Sequence, residues 1–217
     1  MTEEAIAEAP TGRWQRLKEA TAAAHQRLDT RIMAAAPFAS RERYGLFLKV
    51  QHAFHRDISN LYHQPELQRA FDDLPSRARL TAVAQDIADL GLSVPAETET
   101  AHQTTKLDAP AAAGWLYVAE GSNLGAAFLL KAANRLGLSE DFGARHLAAA
   151  PEGRGISWRK FTAALDAMTL TKAGEERLFA AARDAFERVH ALVELMMPLP
   201  GTTPASQPEP PPEGAPA

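Results

Sequence analysis

The sequence predicts an all-α, single-domain protein. Three observations carry this. Apolar residues recur at three- and four-residue steps through every long segment, as in helices that bury one face. No stretch alternates apolar and polar residues between turn signals, as a strand or hairpin would, and there is no internal repeat. The length, 217 residues with 46% hydrophobic content, suits one domain with a sizeable core.

The elements follow in order. Residues 1–10 read as a flexible leader. A helix begins near Thr11 or Gly12, with Thr11 as cap, and runs to about Ala36 ahead of Pro37. Trp14, Leu17, Thr21, Ala24, Leu28 and Ile32 form its stripe. A second helix, capped by Ser40, runs toward His63 with Tyr44, Phe47, Leu48, Phe54 and Ile58 inward. Pro65 breaks or restarts it, and a short helix continues to Phe71. Pro75-Ser76 opens a third helix, Arg77 to Leu90, closed by Gly91. Arginine at that N-terminus, Arg77 and Arg79, works against the helix dipole and asks for a ligand, a water network or plain solvation. Residues 92–107 are polar and irregular.

Asp108 caps a central helix with Pro110 in its first turn; it ends around Asn134–Gly137. FGARHLAAAPEGRG reads as a short helix and a loop. Ser157 caps a helix through Met168, and a last helix runs from Thr171 to Met197. The domain thus spans 11–197, and the Pro-rich 198–217 reads as a disordered tail, too poor in apolar residues to offset its ordering.

The central helix holds the main anomaly. Ala112 to Leu130 is apolar on almost every turn, yet carries Gly121 and Gly125 with Ser122 and Asn123 between them. Each glycine costs a helix interior up to about 1 kcal/mol relative to alanine. Close backbone approach by a flat group, a bend, or tight helix packing would each account for them.

Composition excludes several classes. A net charge of −4 with no basic run gives no nucleic-acid footprint. No apolar stretch is long enough for a membrane span, and the acidic N-terminus lacks signal-peptide character, so a cytoplasmic location is expected. Without cysteine there is no disulfide, thiolate nucleophile or Cys-type metal site. Seven histidines remain: His25, His52, His55, His63, His102, His146 and His190. His25 sits among small residues (ATAAAHQRLD) that leave room beside an imidazole, and Lys18 lies two turns before it. His52 and His55 share a helix face but belong to no Glu-x-x-His motif, which weakens a di-iron reading.

Beyond this point a resemblance carries further. LKEATAAAHQRLD (Leu17–Asp29) resembles the proximal-helix motif of haem oxygenases, and WLYVAEGSNLGAAFL (Trp115–Leu129) resembles their distal helix. PFASRERY, SRAR, FGARHL and the region of Trp158 are most similar to the short bacterial subgroup that produces biliverdin and is linked to iron acquisition or bacteriophytochromes. The resemblance implies a helical bundle with haem between the proximal and distal helices. It implies His25 as the iron ligand, with its other ring nitrogen held by Glu19 or Gln26. Gly121 and Gly125 match the glycines that let the distal helix lie on the haem and steer dioxygen along the ring toward a meso carbon. Ser122 stands where many members have a water-organising aspartate, so that duty passes to Arg79. Thr162 stands where longer members have a propionate-binding arginine, leaving Lys18 and Tyr117 as propionate partners. Lys131, late in the distal helix, is the competing cation for those carboxylates.

The activity implied is oxidative opening of haem, both substrate and cofactor, to biliverdin, carbon monoxide and ferrous iron. It uses dioxygen and electrons from an external ferredoxin or reductase, because the chain has no flavin or nicotinamide motif. A bacteriophytochrome or another biliverdin acceptor is a further expected partner. The α-meso bridge is the expected cut, giving biliverdin IXα. A non-catalytic haem carrier or sensor, or a di-iron oxidase on a similar scaffold, are the alternatives.

Overall fold

The computed structural model describes residues 12–95 and 104–201. Seven α-helices form one bundle: α1 (Arg13–Ala34), α2 (Arg41–Asp57), α3 (Pro65–Ala70), α4 (Leu80–Asp89), α5 (Ala109–Asn134), α6 (Arg154–Ala167) and α7 (Lys172–Met196). Single 3-10 turns lie at Ser59–His63, Leu74–Arg77, Thr104–Lys106 and Arg145–Leu147. Among the described residues there is no strand, only bridges from Ser139 to Phe142 and Gly143. No described helix is long and apolar enough to cross a membrane. The leader, with Thr11, and residues 202–217 of the tail lie outside the described residues.

Two caps, Ser40 and Asp108, stand where the sequence places them, and Thr171, the expected first residue of the last helix, is a third. Ser40 Oγ accepts from Arg43 N, Asp108 Oδ1 from Ala111 N, and Thr171 Oγ1 from Gly174 N. Three boundaries differ. The second helix stops at Asp57 rather than His63 and continues as a 3-10 turn; there the Asp57 carbonyl accepts from the Thr104 hydroxyl, whose oxygen also meets Asn60 Oδ1 at 2.7 Å. The third helix starts at Leu80, not Arg77. Arg77 ends a 3-10 turn with its side chain buried, and the extended Ala78 separates it from Arg79, the N-cap. The expected conflict with the helix dipole is thereby removed for Arg77 and remains for Arg79. The sixth helix starts one turn early, after Gly153 at φ 88°, which puts Ser157 inside it.

α5 and α7 pack along their length and form the spine, and α1 and α2 both lean on α7. Every residue of α5 from Ala111 to Glu120 is buried. Exposure begins at Gly121 and Ser122, so the helix passes from core to surface at its paired glycines. α1 is held differently. Leu17, Thr21 and Leu28 are its only buried positions, and its arginines pair with glutamates of α7: Arg16 with Glu175 at 2.5 Å, Arg31 with Glu194 at 2.6 Å, and Arg27 with Glu187. Such surface pairs contribute at most about 1 kcal/mol each. They set the register of a helix that keeps one face out of the core.

The spine depends on Gly114. A Cβ there would sit 2.9 Å from Ala182 N, closer still to the Leu178 carbonyl oxygen, and 3.2 Å from Ala181 Cβ. Neither backbone can yield without separating the helices. Gly114→Ala is therefore expected to destabilise the fold by about 3 kcal/mol, as overpacked cores do. Denaturant melts check this: the midpoint should fall at unchanged slope. A wild-type midpoint would show that this crossing does not fix the spacing.

Candidate active site

The uncovered face of α1 carries His25, whose side chain is 61% exposed. Phe186 of α7 supports the imidazole edge-on, with ring centroids 5.9 Å apart. Nδ1 lies 3.5 Å from Asp29 Oδ2, one turn on. Asp29 is thus the carboxylate nearest the ring, and Gln26 donates to Thr30. The signal was in the sequence, since i and i+4 share a helix face. With Nδ1 turned to a carboxylate, Nε2 is the nitrogen left for a ligand.

On α5, the first atom a Cβ at Gly121 would meet is on the Trp158 ring, 3.9 Å away, and a Cβ at Gly125 would meet nothing within 4 Å. These glycines therefore do not serve helix packing, unlike Gly114. Beside them Leu124 is 43% and Phe128 80% exposed. An apolar arc on the surface half of a core helix asks for something to cover it. Ser122 Oγ donates to the Ala119 carbonyl at 2.6 Å, so its hydroxyl is turned to its own helix.

Tyr117 joins the two helices. It is buried, its ring lies 5.7 Å from that of Trp158, and the Thr21 side chain of α1 is close enough to its phenol to act on it. Burial pushes the phenol above its usual range, and Thr21 partly opposes that. Thr21 lies three residues after the exposed Lys18 and four before His25, so Tyr117 reaches the helix that carries both. Lys131 is exposed and lies about 80° round the helix from Gly121, whereas Ala132 falls within about 20° of it. Thr162 is buried and donates to the carbonyls of Trp158 and Arg159.

Beneath α5 lies a buried polar layer that the sequence reading missed in part. Arg77 Nη1 donates to Glu120 Oε2 at 2.7 Å, with both side chains about 5% exposed or less. The sign of Glu120 was a lone acid in an otherwise apolar run, AAGWLYVAEGS. Burial pushes its carboxyl up; Arg77 and Arg79 pull the other way. Arg79 is half-buried: Nη2 donates to the Ala148 carbonyl at 3.5 Å, and Nε has no hydrogen-bond partner among the described residues. Burial drives His55 down to about 3, which keeps it neutral. His146 Nδ1 pairs with Asp86 at 2.7 Å and fastens the 145–147 turn to α4. Among the described residues no group of three or more His, Asp or Glu side chains is placed to hold a metal ion, so the di-iron alternative has no donor set there.

Between them α1 and α5 therefore offer an exposed imidazole and lysine on one helix, and a Cβ-free stretch of backbone, an apolar arc and a phenol on the other. That set fits a flat, largely apolar, iron-bearing carboxylate such as haem. The comparisons agree. The family described as Heme oxygenase matches residues 13–195. Heme oxygenase PigA of Pseudomonas aeruginosa is 46% identical over 183 residues, 84% of this chain and 91% of that protein. The NO- and CO-bound haem oxygenase structures of Neisseria meningitidis superpose with a TM-score of 0.82 at 38% identity, covering 90% of this chain and 98% of that one. Haem oxygenase from Leptospira interrogans shares the fold, with a TM-score of 0.67 at 15% identity over 84% of this chain and 98% of that one.

Proposed function

The chain belongs to the haem oxygenase family, and from that premise we propose how its own residues seat haem and direct its opening. It is an oxidoreductase that cleaves haem to biliverdin. Two observations support the site assignment: His25 is exposed on α1, and the missing Cβ of Gly125 on α5 faces open space.

His25 binds the haem iron through Nε2, and Asp29 holds the Nδ1 side and fixes the ring plane. Gly121 and Gly125 let the α5 backbone close on the opposite face, where a side chain would occupy the space that dioxygen needs. Leu124 and Phe128 cover the macrocycle and exclude water, and the substrate in turn covers them. Arg79 orders water on that distal side. With its hydroxyl held by Ala119, Ser122 contributes small size rather than a donor. Dioxygen and electrons come from outside the chain, the electrons from a ferredoxin or reductase. Carbon monoxide and ferrous iron leave with the bilin. We place the reaction in the cytoplasm, within reach of such donors and of a biliverdin acceptor such as a bacteriophytochrome. The domain that does this spans residues 11–197.

The rotation of the haem in its plane selects the bridge that is cut, and the propionates set that rotation. Lys18 supplies an ammonium and Tyr117 a phenol hydrogen bond. Lys131 lies off the line of the glycines. The product is therefore biliverdin IXα. The test is chromatography of the extracted bilins. Wild type should give mainly the α isomer, and Lys18→Asn with Tyr117→Phe should shift product to other isomers. Mainly β or δ product from the wild type would refute this seating and point to Lys131.

A further inference from the structure

We propose that Glu120 is a positioning residue of the distal site: its Oε1, with the Tyr62 hydroxyl and Arg79 Nε, fixes water beneath the distal helix, one residue from Gly121. This rests on the reading that the Gly121–Gly125 stretch of α5 faces the haem.

Arg77 is where the placement begins. A guanidinium has five N–H donors. Here Nε and Nη2 donate to the two Asp73 oxygens at 2.7 and 2.9 Å, Nη1 to Glu120 Oε2 at 2.7 Å and to Ser157 Oγ at 3.1 Å, and Nη2 also to the Ser157 carbonyl at 3.2 Å. The group also lies 5.8 Å over the Phe161 ring. All five donors are committed, so Arg77 has none left for the second Glu120 oxygen. It fixes the carboxylate plane and leaves Oε1 to be served from elsewhere.

Glu120 Oε1, the Tyr62 hydroxyl and Arg79 Nε are all buried with no hydrogen-bond partner among the described residues. The side chains are 4% exposed for Glu120 and 1% for Tyr62. The three lie within electrostatic reach of one another: the charges of Glu120 and Arg79 both act on Tyr62, and that of Arg79 acts on Glu120. One is an acceptor, one a donor and one both, which matches the two to four polar contacts a buried water needs. Left dry, each would keep its full desolvation penalty.

The arrangement also gives the water a direction. A water that accepts from Arg79 Nε and donates to Glu120 Oε1 has one O–H left to give. Arg79 alone supplies only donors and leaves that orientation open. Glu120, clamped from behind by Arg77, closes it, and it does so where α5 passes from core to surface.

The test separates this from a merely structural ion pair. Removing one partner would strand a buried charge, whereas replacing both with apolar side chains of similar size often preserves stability. Asp73, partly exposed, also loses its guanidinium, so Arg77→Met with Glu120→Met is expected to fold and to melt slightly below the wild type. In the apoprotein the Arg79 Nε–H, followed by NMR with labelled arginine, should exchange with solvent about tenfold faster, as expected when a buried hydrogen bond is lost. Haem affinity should hold while ring opening slows about tenfold, the effect of one hydrogen bond at the transition state. A folded double variant with wild-type exchange and rate would reduce the pair to a structural clamp and overturn the proposal. So would a slower rate with unchanged exchange. Should the double variant fail to fold, Glu120→Gln, which keeps the shape and an oxygen for Arg77, must show the faster exchange; wild-type exchange in it also overturns the proposal. The exchange measurement needs no haem, so its outcome is independent of the seating proposed above.

Discussion

His25→Ala protein is expected to melt within about 0.5 kcal/mol of wild type, as most surface substitutions do, and to open no haem ring at a measurable rate. The two halves of this result have different origins. The imidazole is 61% exposed, its Asp29 contact at 3.5 Å is on the surface, and its one ring neighbour is the edge of Phe186. Little of the fold depends on it. Haem should still enter, because Leu124, Phe128, Lys18 and Tyr117 are untouched, but its spectrum should lose the signature of histidine ligation. Loss of the axial ligand removes control over the iron, at a cost of about 4 kcal/mol at the transition state, or about a thousandfold in rate. Wild-type spectra with normal turnover would show that the iron is held by another residue.

Gly125→Leu should separate stability from activity even more clearly. In the absence of haem the new side chain meets no described atom within 4 Å of its Cβ, and a helical glycine is replaced by a good helix former. The apoprotein should gain up to about 1 kcal/mol. With haem, the same side chain fills the space between backbone and ring, and ring opening should fall by about a hundredfold, equivalent to about 3 kcal/mol. A stable variant that turns over at the wild-type rate would refute the close-approach account of the glycines. Gly114→Ala provides the contrast: the same type of residue in the same helix, but set against α7, so that its loss is felt in stability.

The sequence was most legible where the physics is local. Ser40, Asp108 and Thr171 are caps because a side-chain oxygen two or three residues from an orphan amide depends on nothing distant. The glycines of α5 stood out against an apolar helix, and His25 against its small neighbours. Thr11, an expected cap, lies outside the described residues, and Gly12 caps α1 there. Where the reading fell short, the deciding contact came from far along the chain. Arg77 looked like a helix start; Glu120 and Ser157, 43 and 80 residues away, make it a buried hub instead. Thr104 meets the end of α2 across 47 residues. No periodicity in a single sequence encodes such pairings. Asp29 is different: its i,i+4 spacing to His25 is a local signal that the sequence itself carries.

The central claim is that haem seated between His25 and the glycines of α5 is consumed rather than carried. An absorption spectrum of the purified protein with one equivalent of haem, followed in air after a reductase system and its electron source are added, tests it most directly. A histidine-ligated Soret band should form, then decay as the broad long-wavelength absorption of biliverdin rises, with catalase present to exclude damage by free peroxide. A Soret band that survives the electrons unchanged, with no bilin in the extract, would contradict the account and leave a haem carrier on this fold.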